Sequence, residues 1–124
     1  MKEFFIVFLG GGLGSAVRYS IGYWFSTTAH SFPYPTLIAN LLGCLLIGIF
    51  MGLASKLNWI EGPLLLLFAV GFCGGLTTFS ALSYQNVEFL INRSFFLFLT
   101  YTSVSFIGGI GLVVLGSQIS KYLA

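Results

Sequence analysis

The residues of this chain that could do chemistry are few and of one kind. Arg18, Asn40, Ser80, Tyr101 and Ser105 interrupt long apolar stretches. Each can donate a hydrogen bond, and none is acidic. Donors without carboxylates suit an anion better than a cation. They suit a small, strongly hydrated anion best, because its lost water must be replaced by donors. Phe79 joins this group by position: it follows a run of glycines and threonines, and an aromatic ring edge carries partial positive charge. Asn40 has two readings, interhelical glue worth about 0.6–2 kcal/mol or a donor to a passing anion. Arg18 is the costliest residue, since an arginine at the centre of a spanning helix costs about 2.5–3.5 kcal/mol on insertion scales. No acid lies between Phe4 and Ser55 to pair with it, so the arginine reads as lining an aqueous vestibule that attracts anions, rather than simply snorkelling to the interface. No nucleophile–base pair or metal cluster stands out, which argues against an enzyme. Cys44 and Cys73 have no histidine or acid at ligand spacing and read as small, soft packing residues. His30 reads as a solvated loop residue.

These residues need elements to hold them. The chain has 124 residues, 57% hydrophobic and only 6% charged, with a mean hydropathy of +1.00. That is the composition of a membrane protein, and a net charge of +2 is too small to suggest nucleic acid. A span needs about 20 apolar residues. The length therefore fits one all-α integral membrane domain over residues 1–124 with four spans, at about 4–25, 36–55, 63–91 and 95–116. The apolar start runs on past Arg18 without a cleavage pattern, as a mature span does. Gly10 and Gly14 share one face of the first span and permit close backbone approach. Their glycine tract lacks the lysine and preceding strand of a phosphate loop. In the second span Thr36, Asn40, Gly43, Cys44, Ile47 and Gly48 form one small, partly polar stripe.

The third span holds Gly71-Phe72-Cys73-Gly74-Gly75-Leu76-Thr77-Thr78-Phe79-Ser80, which is poor helix-forming chemistry. A break is expected over 74–78, at mid-membrane. In lipid, backbone groups freed by a break must find partners or line a polar cavity. Unwound carbonyls can hold a cation, and the following half-helix can turn its N-terminus to an anion. Lys2, Lys56 and Lys121 fall at one end of the spans and Arg93 at the other. This bias weakly favours cytoplasmic termini and is small enough to permit both orientations. Four helices barely enclose a pore, so a dimer is expected. An antiparallel dimer would bring two breaks together around one cation.

Three stretches together resemble the signature blocks of the Fluc/CrcB fluoride channels: Gly11-Gly12-Leu13-Gly14-Ser15-Ala16-Val17-Arg18-Tyr19, Asn40-Leu41-Leu42-Gly43, and the segment from Gly71 to Ser80. They occur in the family's order within a four-span layout covering the whole chain. The resemblance implies a passive fluoride exporter of the bacterial inner membrane, built as a dual-topology, antiparallel dimer with two pores. It implies a structural sodium ion at the dimer centre on the backbone carbonyls of Gly74 and Thr77. It places Asn40, Phe79, Ser80, Tyr101 and Ser105 along the fluoride path and Arg18 in the vestibule. The partners implied are fluoride, the lipid bilayer, and a second copy or a related subunit.

Three departures stand against this pattern. Leu82 occupies the place of the second pore phenylalanine, and Gln85 that of a glutamate. Span four has no hydroxyl from Gly108 to Gly111, where more polar residues are expected. These departures leave open a weakly conducting or non-conducting partner subunit of a heterodimer. A small four-span multidrug exporter is less favoured, because it needs a titratable acid in span one.

Overall fold

The computed structural model describes residues 1–26, 31–57 and 62–123. His30 lies outside the described residues. Every regular element within them is helical. Helix α1 runs Lys2–Trp24 and α2 runs Tyr34–Ala54. The third segment is composite: α3 at Pro63–Leu65, a π-helix at Leu66–Cys73, α4 at Gly74–Leu76 and α5 at Phe79–Ile91. Helix α6 runs Phe95–Leu123. Four stretches are long and apolar enough to cross a membrane: Lys2–Trp24, Tyr34–Ala54, Pro63–Ile91 and Phe95–Leu123.

The ends follow local chemistry. Pro35 and Pro63 stand in the first turns of α2 and α3, where a missing N–H is harmless. Gly62, at φ 59°, supplies the left-handed residue that admits the chain to α3. Thr78 caps α5, its Oγ1 accepting from the Ala81 N–H at 3.2 Å. Helix α5 closes with Ser94 N–H on Phe89 O at 2.8 Å and Arg93 N–H on Leu90 O at 3.1 Å, with Arg93 at φ 55°. That is a Schellman turn with arginine in the left-handed place.

Two differences from the sequence reading concern boundaries. Helix α6 continues seven residues beyond the expected end at 116. Those residues have a seat: a Cβ on Gly52 of α2 would meet the Ser120 side chain, and Lys56 Nζ donates to Lys121 O at 3.2 Å. In the third segment, Gly74–Leu76 are helical although the break was expected to begin at 74, and only Thr77 and Thr78 are extended. Three glycine-rich residues keep helical form because Thr77 N–H still reaches Cys73 O at 3.0 Å.

Glycines set the packing. Helix α1 lies directly on the π-helix and α4: a Cβ on Gly10 would strike Leu67 O, one on Gly14 Phe72 O, and one on Gly75 Gly11 O. Helix α2 lies against α6, where a Cβ on Gly48 would strike Val113 O and one on Gly116 Leu45 O. Small residues allow such backbone approach where there is no hydrophobic gain between spans. One core cluster joins Leu37, Leu82, Phe89 and Tyr101, and another joins Ile21, Ala39 and Leu76. Large apolar side chains such as Phe4, Phe8, Leu9, Ile107 and Ile110 face outward, as lipid contact allows.

Candidate ion path at the extended residues of the third segment

Thr77 (φ −84°, ψ 153°) and Thr78 (φ −148°, ψ 117°) leave the helical region between α4 and α5. The carbonyls just before them lose their usual donors four residues on. Cys73 O keeps two, from the Thr77 N–H at 3.0 Å and the Thr77 Oγ1 at 2.9 Å. Gly75 O accepts from Arg18 Nε at 3.1 Å and lies 3.5 Å from Ser15 Oγ. Among the described residues no donor reaches Gly74 O or Thr77 O.

Arg18 is half-buried. Side chains on a helix lean toward its N-terminus, so this arginine reaches inward, to the carbonyl end of α4, and does not simply snorkel outward. A cation at the negative end of a helix is favourable. The remaining guanidinium N–H groups are left for an open depression on the α1 surface beside Ser15, Tyr19, Gly22 and Tyr23. Asn40 is held at both ends of its amide. Its Oδ1 accepts from the Thr78 N–H at 2.6 Å, and its Nδ2 donates to Thr78 O at 3.1 Å. One amide hydrogen of Asn40 remains uncommitted.

Beyond the extended pair, Phe79 opens α5 and is largely exposed, at 71%. The Ser80 and Thr78 hydroxyls share a hydrogen bond at 3.0 Å. Tyr101 is fully buried, and its hydroxyl donates to Gln85 Oε1 at 2.7 Å. Gln85 Nε2 in turn donates to Thr36 Oγ1 at 2.9 Å. Ser105 Oγ is buried and has no hydrogen-bond partner among the described residues. Asn40, Thr77, Thr78, Phe79 and Ser105 all line one groove of about 430 Å³, with Gly74 on its wall. Tyr101, Ser80 and Arg18 do not line it. Leu82 does, while also packing into the core at 6% exposure.

The groove has no acidic residue in its lining, and the positive end of α5 opens toward it. That combination favours an anion. The donorless carbonyls of Gly74 and Thr77 are the complementary feature: hard, uncharged oxygen acceptors of the kind a hard cation can use. The described residues hold no group of three His, Cys, Asp or Glu able to chelate a metal.

Residues 5–117 match the family model described as CrcB-like protein, Camphor Resistance (CrcB). The chain belongs to the CrcB family. Curated members of similar length align along nearly all of it. A protein named fluoride-specific ion channel FluC from Leptospira interrogans (serovar copenhageni) is 40% identical over 121 residues, covering 97% of this chain and 95% of that one. The Flavobacterium psychrophilum protein of the same name is 40% identical over 127 residues, covering 99% and 100%. The one from Azobacteroides pseudotrichonymphae is 35% identical over 123 residues, covering 98% of each. A family of channels gives no support to the multidrug-exporter reading, nor does it favour a partner subunit that does not conduct.

Within this CrcB chain, two residues of the site were not singled out from sequence as participants. Thr36 and Gln85 form a neutral chain with Tyr101 across α2, α5 and α6. Thr36 was visible as part of the small polar stripe of span two. Gln85 was visible as a departure from an acid. Their link was not, because residue type does not tell which hydroxyl an amide will meet.

Proposed function

We infer that this chain is a fluoride-specific ion channel that lets fluoride leave the cell passively. The carrying observation is full-length similarity to proteins of that name, joined to a mainly apolar groove into which Asn40, Thr77, Thr78 and Ser105 bring hydrogen-bonding groups and no acid. Fluoride holds its water tightly, so a path must offer donors at close intervals. The Arg18 guanidinium draws the anion into the vestibule. The spare amide hydrogen of Asn40, the Ser105 hydroxyl and the edge of Phe79 then replace water in turn, with the Ser80 hydroxyl acting on the groove through its bond to Thr78. Away from the groove, the Tyr101–Gln85–Thr36 chain ties α2, α5 and α6 together without a net charge. Hydrogen fluoride enters cells as a neutral acid and ionises, and the channel releases the trapped anion down its gradient and the membrane potential.

The working unit in this reading is an antiparallel dimer in the bacterial inner membrane, with the Thr77–Thr78 interruption at mid-membrane. Support comes from the exposed ring of Phe79 and the open groove beside it, which a second copy would cover. Gly74 O and Thr77 O of each chain would hold a structural sodium ion at the centre. Such an ion supplies fixed positive charge where two sets of bare carbonyls meet. The deciding experiment reconstitutes this polypeptide alone in liposomes and follows fluoride and chloride efflux. Fast fluoride efflux with none of chloride is expected. No fluoride efflux from correctly inserted protein would end the reading.

A further inference from the structure

Asn40 and Gly43 lie three residues apart on α2, on the face that meets the extended pair. An extended residue presents its own N–H and C=O to the same side. Thr78 does so, and the Asn40 carboxamide takes both, accepting at 2.6 Å and donating at 3.1 Å. The side chain thus imitates one residue of a neighbouring β-strand. Among the standard side chains only a carboxamide offers an acceptor and a donor at the required separation. One residue earlier, Thr77 is fixed from two sides. Its hydroxyl donates to Cys73 O at 2.9 Å. Its methyl sits against Gly43, where a Cβ would collide with Thr77 Cγ2. Rotating the threonine to relieve such a collision would break the hydroxyl bond, since a β-branched side chain has few χ1 choices.

We propose that Asn40 and Gly43 are positioning residues: a bracket on α2 that moulds Thr77 and Thr78 into the extended form and so aims the Thr77 carbonyl. Asn40 serves the ion path first by holding backbone and only second through its spare hydrogen. Gly43 has no side chain to offer an ion, yet it belongs to the same device. The proposal rests on the channel reading for its consequence, but not for its geometry.

The first test is amide hydrogen exchange at Thr78, measured by NMR on threonine-labelled protein in nanodiscs. Asn40→Asp keeps the acceptor and should leave the Thr78 N–H protected. Asn40→Ala removes it and should speed exchange by about tenfold or more. Equal protection in Asn40→Ala and the parent protein overturns the bracket, whatever happens to flux. The second test asks whether sodium raises the melting temperature over N-methylglucamine. Gly43→Ala should abolish any such rise and cut fluoride efflux by about tenfold. Adding Thr77→Ser to that variant removes the colliding methyl while keeping the hydroxyl, and should recover most of both. A Gly43→Ala protein that behaves like the parent, or a double variant no better than the single, overturns the role of Gly43. Parent protein that fails to conduct would instead count against the channel reading and leave the exchange result standing.

Discussion

Ser105 carries a buried hydroxyl with no partner among the described residues, and such a group costs folding free energy. Function is the natural compensation. Ser105→Ala should therefore leave thermal stability unchanged or slightly higher, while fluoride efflux falls. A loss of stability would show that the hydroxyl is used structurally. Tyr101 is the opposite case. It is fully buried and donates to Gln85, so Tyr101→Phe leaves a part-buried amide oxygen without its donor, at a cost of about 1 kcal/mol. The Tyr101→Phe/Gln85→Leu pair should cost less than the sum of the singles, since both act on one bond; denaturation of all three variants in detergent gives the answer. The residue types along this path were legible in the sequence, because donors without acids are rare in apolar segments. Their partners were not. Arg18 was read as a vestibule residue, and its Nε bond to Gly75 O 57 positions away follows from side-chain lean and helix contact, which residue type alone does not encode.

Helices stand a level above. The four apolar segments were readable because length and hydropathy decide what crosses a bilayer. The register inside them was less so. Nothing in the uniformly apolar run Leu66–Cys73 distinguishes a π-helix from an α-helix, and the polar tail after 116 concealed that α6 continues against α2. Glycine spacing was the better guide. Gly10 and Gly14 were read as sharing a face for close approach, and that face meets the third segment. Because the atoms in the way are backbone, they cannot swing aside. Gly14→Ala, whose methyl would meet Phe72 O, should destabilise the fold by about 1–3 kcal/mol through overpacking. Gly12→Ala is the internal comparison. A Cβ there meets nothing within 4 Å, so better helix propensity should make it neutral or stabilising by up to about 1 kcal/mol. Parallel thermal unfolding of the two variants tests whether α1 is seated by its glycines or merely tolerates them.

At the scale of the molecule the decisive quantity is a small charge difference. Lys2, Lys56 and Lys121 mark one end of the bundle, where Lys56 and Lys121 touch. Arg93 marks the other, in the turn between α5 and α6. So slight an excess of positive residues is small enough to permit both orientations, as the proposed antiparallel dimer requires. If conduction requires two chains of opposite orientation, then fixing the orientation should silence a single gene product without harming its fold. Adding two lysines after Leu123 should bias every chain one way, and adding two arginines beside Arg93 should bias every chain the other. Each variant expressed alone should insert but give little fluoride efflux from cells. The two expressed together should restore it, because each supplies the orientation its fellow lacks. Paired C-terminal reporters, one active in the cytoplasm and one outside, verify the bias independently. Full efflux from a chain shown to sit in one orientation would remove the antiparallel dimer from the proposal. The groove and its donors would then have to be completed by a parallel neighbour or by lipid.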